Sequence, residues 1–226
     1  MMQRWVVECS RLSLISLLSV LLPALSLSAA VSATTQSDLT AAGQPPLKWH
    51  AETQSIMGTR VHVEIQHEDE AYAAVTVATV MAEMHRIDHA FSPYKETSEI
   101  SLVNREAGAG WVEISDEMVA LLQKSAEISN LTSGAFDITY ASVGRYYDYR
   151  QGKAPDENSI RAAIHAIDYR HVELEPNRVR FKHPLVSIDF GGIAKGYAVD
   201  RGIEILLARG VVQGSVSAGG DSRILG

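Results

Sequence analysis

Hydrophobic and polar positions recur with two different periods along this chain, and each change of period marks an element. Over residues 59–65, Val61, Val63 and Ile65 alternate with Arg60, His62 and Glu64, the two-residue period of a half-buried strand. Over 69–89 the period lengthens. Ala73, Val77, Val80, Met84 and Ile87 recur at three- and four-residue steps, which predicts an amphipathic helix. Ser92-Pro93-Tyr94 breaks that helix. A short helix is expected over 98–104 and a strand over 111–114. Ser115 or Asp116 then caps a helix running to about Ser129. Asp116 and Glu117 fall in its first turn, where the helix dipole favours acids, and Val119, Leu122 and Ile128 face inward.

The second half reads as shorter pieces. Residues 131–149 are aromatic-rich and irregular, and Pro155 starts a helix near 156–167. Residues 171–175 and 178–182 form a hairpin across Pro176-Asn177. Residues 186–189 read as a strand, after which Gly191-Gly192 opens a helix from Ile193 to about Ala208, ended by Gly210. A strand near 212–217 leads into Gly219-Gly220-Asp221. Strands and helices mix without strict alternation, which predicts an α+β fold rather than a doubly wound sheet.

The N-terminus follows another pattern. Arg4 and Arg11 precede the apolar run 12–27, and small residues follow it from Ser28 to Ala33. That order predicts a signal peptide over 1–33 and an exported, periplasmic protein, tethered to the inner membrane if the signal stays uncleaved. Pro23 and the scattered serines make the run a poor membrane span. Residues 34–47 read as a linker, which leaves 48–226 as the folded domain.

Composition narrows the classes. The chain has 226 residues, 46% hydrophobic and 21% charged, within the range of globular proteins. Its net charge is -7, so nucleic acid is not an expected partner. Without residues 1–33, which hold Arg4, Arg11 and Glu8, the net becomes -8. The one cysteine, Cys9, lies in the signal segment, so neither a disulfide framework nor a cysteine-based zinc site is available.

The segment 186–200, VSIDFGGIAKGYAVD, carries most of the chemistry. It places Asp189, two glycines and a helix start in succession, with Lys195 in the first turns. Free N–H groups and the positive end of a helix dipole suit a phosphate there. The spacing is neither a P-loop nor the dinucleotide fingerprint. A tight strand–helix turn with glycines for geometry alone is the other reading. Asp137, after Gly134, and Asp221, after Gly219-Gly220, are two more acids beside glycine turns. Such acids hold Mg²⁺ or a ribose, or simply shape the turn. His85 and His89 stand four apart on the predicted helix, a metal-ligand spacing that a zinc hydrolase would use. Arg86, however, stands where the zinc-protease pattern has Glu, and no third ligand is indicated.

Five stretches in order resemble the ApbE family of flavin transferases. They are Met57-Gly58-Thr59; Phe91-Ser92-Pro93-Tyr94 with Ser98-Glu99-Ile100-Ser101; Gly134 to Thr139; Asp189 to Asp200; and Ser217-Ala218-Gly219-Gly220-Asp221. The resemblance implies a mixed or antiparallel sheet with packed helices. It also implies a Mg²⁺-dependent enzyme that splits FAD, passes FMN to a Thr or Ser hydroxyl of a target protein and releases AMP. The implied targets include subunits of membrane redox complexes. On this pattern Met57 and Tyr94 contact FAD. Ala135, Phe136 and Asp137 line its flavin or adenine pocket, and Asp189 and Lys195 bind it. The Gly192 backbone helps hold Mg²⁺, and Gly219, Gly220 and Asp221 border the pyrophosphate.

The family continues past its Ala-Gly-Gly-Asp segment with a His-x-x-Asp-Pro stretch and an Asp and Thr that complete the Mg²⁺ site. The expectation is therefore a domain lacking its C-terminal portion, with a non-catalytic exported FAD-binding protein as the alternative to a transferase.

Overall fold

The computed structural model describes residues 46–148 and 151–226. The expected signal segment and residues 34–45 of the linker lie outside the described residues. No described helix is long and apolar enough to cross a membrane.

A four-stranded antiparallel sheet forms the base. Its strands β1 (Lys48–Ile56), β2 (Thr59–His67), β6 (Gly214–Ala218) and β7 (Asp221–Leu225) lie in the order β1-β2-β6-β7. The alternation expected over 59–65 is real, since Val61, Val63 and Ile65 are all fully buried. β1 is not visible as a strand in the sequence. It is an edge strand whose residues are mostly exposed or half-buried, so no apolar face marks it. β1 pairs with β2 from Lys48↔His67 to Ile56↔Thr59. Met57 and Gly58 turn between them at φ 53° and 68°, the two left-handed residues of a type I′ turn.

Two helices cover the buried face, α1 (Glu70–Phe91) and α6 (Ala194–Ala208). Asp69 caps α1 by accepting from the Tyr72 N–H at 3.0 Å. Gly202 lets the two helices approach each other and the sheet. A Cβ there would stand 3.0 Å from Met84 and Val80 and 3.1 Å from Val216. Gly210, at φ 72°, ends α6 as expected.

Between these lie α2 (Glu99–Glu106), α3 (Asp116–Leu131), the single turn α4 (Ala141–Gly144) and α5 (Glu157–Ala163). Ser115 caps α3 by accepting from the Met118 N–H. Leu122 is buried as expected, while Val119 and Ile128 are half-buried. A second sheet, ordered β3-β5-β4, joins β3 (Val112–Glu113), β4 (Val172–Glu175) and β5 (Arg178–Phe181). The hairpin across Pro176-Asn177 is therefore real. The result is an α+β domain with antiparallel sheets and packed helices.

The strand expected over 186–189 does not form. Val186, Ile188 and Phe190 are buried as a strand's would be, but no ladder pairs them. Side chains satisfy the backbone instead. Asn104 donates to the Ile188 carbonyl at 2.9 Å and accepts from its N–H at 2.7 Å. The Ser142 hydroxyl accepts from the Ser187 N–H at 3.0 Å, and the Asp189 N–H donates to the Ile138 carbonyl. Buried backbone must be paired, and here asparagine and serine compete successfully with a sheet.

A charged network ties α1, α3 and α6 together. Arg86 donates to Glu83 at 2.8 and 2.9 Å and to Glu117 at 2.7 Å through two nitrogens. The Tyr197 hydroxyl donates to Glu117 at 2.5 Å, and Arg201 lies 3.5 Å from Glu83. The hydrogen bond from Arg86 holds the Glu83 carboxyl below its usual range. Burial pushes Glu117 up, but its bonds from Arg86 and Tyr197 outweigh this and leave it lowered. Burial, then the bond to Glu117, pushes the Tyr197 hydroxyl up.

Carboxyls lowered on folding stabilise the fold above their unfolded value of about 4.3, and that contribution is lost as pH falls below it. Thermal melts from pH 6 down to pH 3 should therefore show Tm falling, most steeply below about pH 4.5. Glu117→Gln should melt lower at pH 6 and fall less on acidification. Parallel curves for the two proteins would remove this network from the acid response.

Candidate active site

Three structural features converge at one end of the four-stranded sheet. The first is the β1–β2 turn at Met57-Gly58. The second is the β6–β7 turn at Gly219-Gly220, beside it because Val61 pairs with Ala218. Gly219 has φ 65° and needs it, and a Cβ there would stand 2.9 Å from the Thr59 hydroxyl. The third is the turn 190–193 that opens α6.

That turn is built by Asp189. One carboxylate oxygen accepts from the Gly191 N–H at 2.7 Å, and the other accepts from the Tyr140 hydroxyl at 2.9 Å. Lys195 Nζ then donates to the Gly191 carbonyl at 2.9 Å. The helix above has no side-chain cap, whereas α1, α2, α3 and α5 are capped by Asp69, Ser98, Ser115 and Asp156. The Ile193 and Ala194 N–H groups donate to the Phe190 carbonyl at 2.8 and 2.7 Å, and with no side-chain cap the donors of the next residues are left for an anion.

A cleft of about 350 Å³ opens beside this turn. Met57, Tyr94, Asp189 and Lys195, four of the expected site residues, line it together. The end of α1 forms another wall with Ile87, Asp88 and Phe91. Met57 holds a left-handed conformation that costs a non-glycine residue about 1–2 kcal/mol, and such strain concentrates at functional sites. Tyr94 is 89% exposed and stands at the rim.

The other expected residues lie apart from that cleft. Gly192 and Asp221 line a second cleft of about 440 Å³, with Asp200, Tyr197 and Lys124. Phe136 packs against Gly192, where a Cβ would stand 3.1 Å from its ring. Asp137 is occupied in holding its own turn. It accepts from the Thr139 N–H and hydroxyl at 2.8 and 2.6 Å and from the Tyr169 N–H at 2.9 Å. Ala135 sits in the turn between Thr132 and Asp137, its N–H donating to the Thr132 carbonyl. Gly219 and Gly220 line neither cleft.

Among the described residues no group of three or more His, Cys, Asp or Glu is placed to hold a metal. His85 bonds Gln54 at 2.7 Å instead, so the spacing of His85 and His89 builds no zinc centre with a third described ligand. The second cleft does bring the Gly192 backbone near Asp221 and Asp200, the latter paired with Arg223 at 2.7 Å. Mg²⁺ commonly takes one or two carboxylates and fills its remaining positions with phosphate oxygens and water. This sparse donor set fits an ion that arrives with a phosphorylated substrate.

Sequence reasoning missed Tyr140, whose hydroxyl holds Asp189, and Asn104, which fixes the segment leading into the turn. Tyr140 lies in the aromatic-rich stretch singled out as irregular. Asn104 gives no sequence signal, since its partner is 84 residues away.

The model of the ApbE family matches residues 57–226. A curated FAD:protein FMN transferase from Vibrio cholerae is 25% identical over 177 residues, covering 75% of this chain and 52% of the relative. One from Treponema pallidum is 22% identical over 197 residues, covering 81% and 54%. The chain thus spans about half the length of the curated relatives it matches. Among solved structures, the ApbE protein of Thermotoga maritima superposes with a TM-score of 0.72 at 29% identity, covering 79% of this chain and 59% of that one. The Vibrio cholerae flavin transferase ApbE gives a TM-score of 0.74 at 21% identity, covering 80% and 60%. The family model covers most of the chain, and the chain belongs to the ApbE family.

Proposed function

We propose that this chain carries the nucleotide-binding part of an exported FAD:protein FMN transferase. The observation that carries the reading is the joining of Met57, Tyr94, Asp189 and Lys195 in one cleft at an uncapped helix start. The names of the curated relatives support FAD as the substrate and a protein as the acceptor. The reading extends to a Thr or Ser hydroxyl on a subunit of a membrane redox complex. Export rests on the basic, apolar and small-residue order of residues 1–33.

In this reaction the acceptor hydroxyl oxygen bonds the phosphorus of the FMN half. The bond from that phosphorus to the bridging oxygen breaks, AMP leaves with that oxygen, and the hydroxyl proton passes to solvent. Phosphoryl chemistry of this kind depends on positioning and charge neutralisation more than on covalent catalysis. Lys195 and the positive end of the α6 dipole offset phosphate charge, and Asp189 keeps the turn in the shape that presents them. The Gly192 backbone and Asp221 would hold Mg²⁺ in the second cleft, one residue along the turn from Gly191 in the first, and there it would supply charge neutralisation.

Flavin fluorescence titration of the full chain tests the binding half of this reading. FAD should bind, more tightly with Mg²⁺ present, and no binding at high micromolar FAD would remove the site assignment. Chromatographic detection of AMP with a threonine-bearing acceptor tests the transfer half.

A further inference from the structure

A third concavity adjoins the first cleft. This groove of about 440 Å³ runs between α2 and α4, and Pro93, Tyr94, Tyr140 and Asp189 form the wall it shares with the first cleft. The second cleft shares no lining residue with the first. Two arginines flank the groove, Arg105 on α2 and Arg145 after α4. Arg105 is 57% exposed and among the described residues reaches its neighbour Glu106, at 3.5 Å. Arg145 donates to the Tyr146 hydroxyl at 3.1 Å and to the Leu185 carbonyl at 3.4 Å, and no described carboxylate pairs with it. Among the described residues lining the groove, Asp189 is the one carboxylate beside two arginines, so this lining is net positive in a chain of charge -7.

We infer that this groove docks an acidic segment of the acceptor polypeptide, with Arg105 and Arg145 engaging its carboxylates. The inference rests on the transferase reading above, which requires two substrates to meet. A reacting hydroxyl must reach the nucleotide phosphorus, and of the other two concavities described only this one opens onto the nucleotide cleft. Its walls have the composition of protein interfaces, where tyrosine and arginine are enriched and supply most of the binding energy. The second cleft carries Asp200 and Asp221 and would repel an acidic partner. Both guanidinium groups are exposed, and such groups bind carboxylates with paired, directional hydrogen bonds.

The test uses the full chain and two short fluorescein-labelled peptides. One has a central threonine flanked by aspartate and glutamate; its twin carries asparagine and glutamine instead. Peptide binding is read by anisotropy and FAD binding by flavin fluorescence on the same samples. The acidic peptide should bind at least about tenfold more tightly than its twin, the worth of one charge-assisted pair. The double variant Arg105→Glu, Arg145→Glu should lose that preference while FAD binding stays unchanged. Absence of peptide binding, equal binding of the two peptides, or a preference that survives charge reversal would overturn the docking site. Loss of FAD binding in a folded double variant would also overturn it, by making the groove part of the nucleotide site. Failure of the wild-type chain to bind FAD sinks the transferase reading itself, and the acceptor assignment with it, whatever the peptides do.

Discussion

Asp189→Ala lowers the affinity for FAD by at least about tenfold, because the carboxylate holds two charge-assisted hydrogen bonds, each worth about 1.5–3 kcal/mol. One bond fixes the Gly191 N–H and the other fixes Tyr140. Without them the turn no longer holds the Gly191 carbonyl against Lys195, and the α6 donors lose their aim. Asp189→Asn retains an acceptor for Gly191 and keeps much of the binding. His89→Ala changes the affinity less than twofold, since His89 is exposed and lines neither cleft. Fluorescence titration of the three variants checks the order. Equal effects of Asp189→Ala and His89→Ala would sink the role given to the turn.

Phe190→Ala produces the largest loss of stability expected of any site residue. Phe190 is fully buried and packs edge-on against Phe91, with ring centroids 5.7 Å apart. Truncating a buried phenylalanine costs about 3–5 kcal/mol through lost burial and a cavity. In a folded unit of this size that lowers Tm by roughly 6–20 °C. Phe190→Leu keeps most of the apolar volume and costs less. A thermal melt in which Phe190→Ala shifts Tm by under about 2 °C would show that the site turn is not anchored through this ring. The same ring joins the end of α1, where Phe91 lines the cleft, to the turn before α6. A stability defect here is therefore expected together with weaker FAD binding.

What the sequence made legible follows from periodicity. α1, α3, α6 and β2 bury regular apolar faces, and their patterns predicted them. β1 carries no such face, because an edge strand with Trp49 57% exposed buries little. The segment 186–190 shows the opposite failure. Its apolar residues are buried as expected, but hydrophobicity reports burial and not the partner that satisfies the backbone. Two side chains distant in sequence, Asn104 and Ser142, decided that.

The site divides in the same way. Motif spacing found Met57, Tyr94, Asp189 and Lys195, which the fold brings to one cleft. It could not separate them from Asp137, whose similar glycine-turn setting serves a turn and the Tyr169 backbone. Nor could it find Tyr140, whose part depends on contact with a carboxylate 49 residues away.

The way residues 186–190 are held bears on how this site can change over time. A strand within a ladder is located by main-chain groups that every residue carries, so its position tolerates drift in sequence. Here the approach to the turn before α6 hangs on individual side chains, and Asn104 and Ser142 each serve as a point of adjustment. A substitution at either re-aims the turn without disturbing the four-stranded sheet beneath it. The domain can thus retune the turn before α6 in single steps while its scaffold stays fixed.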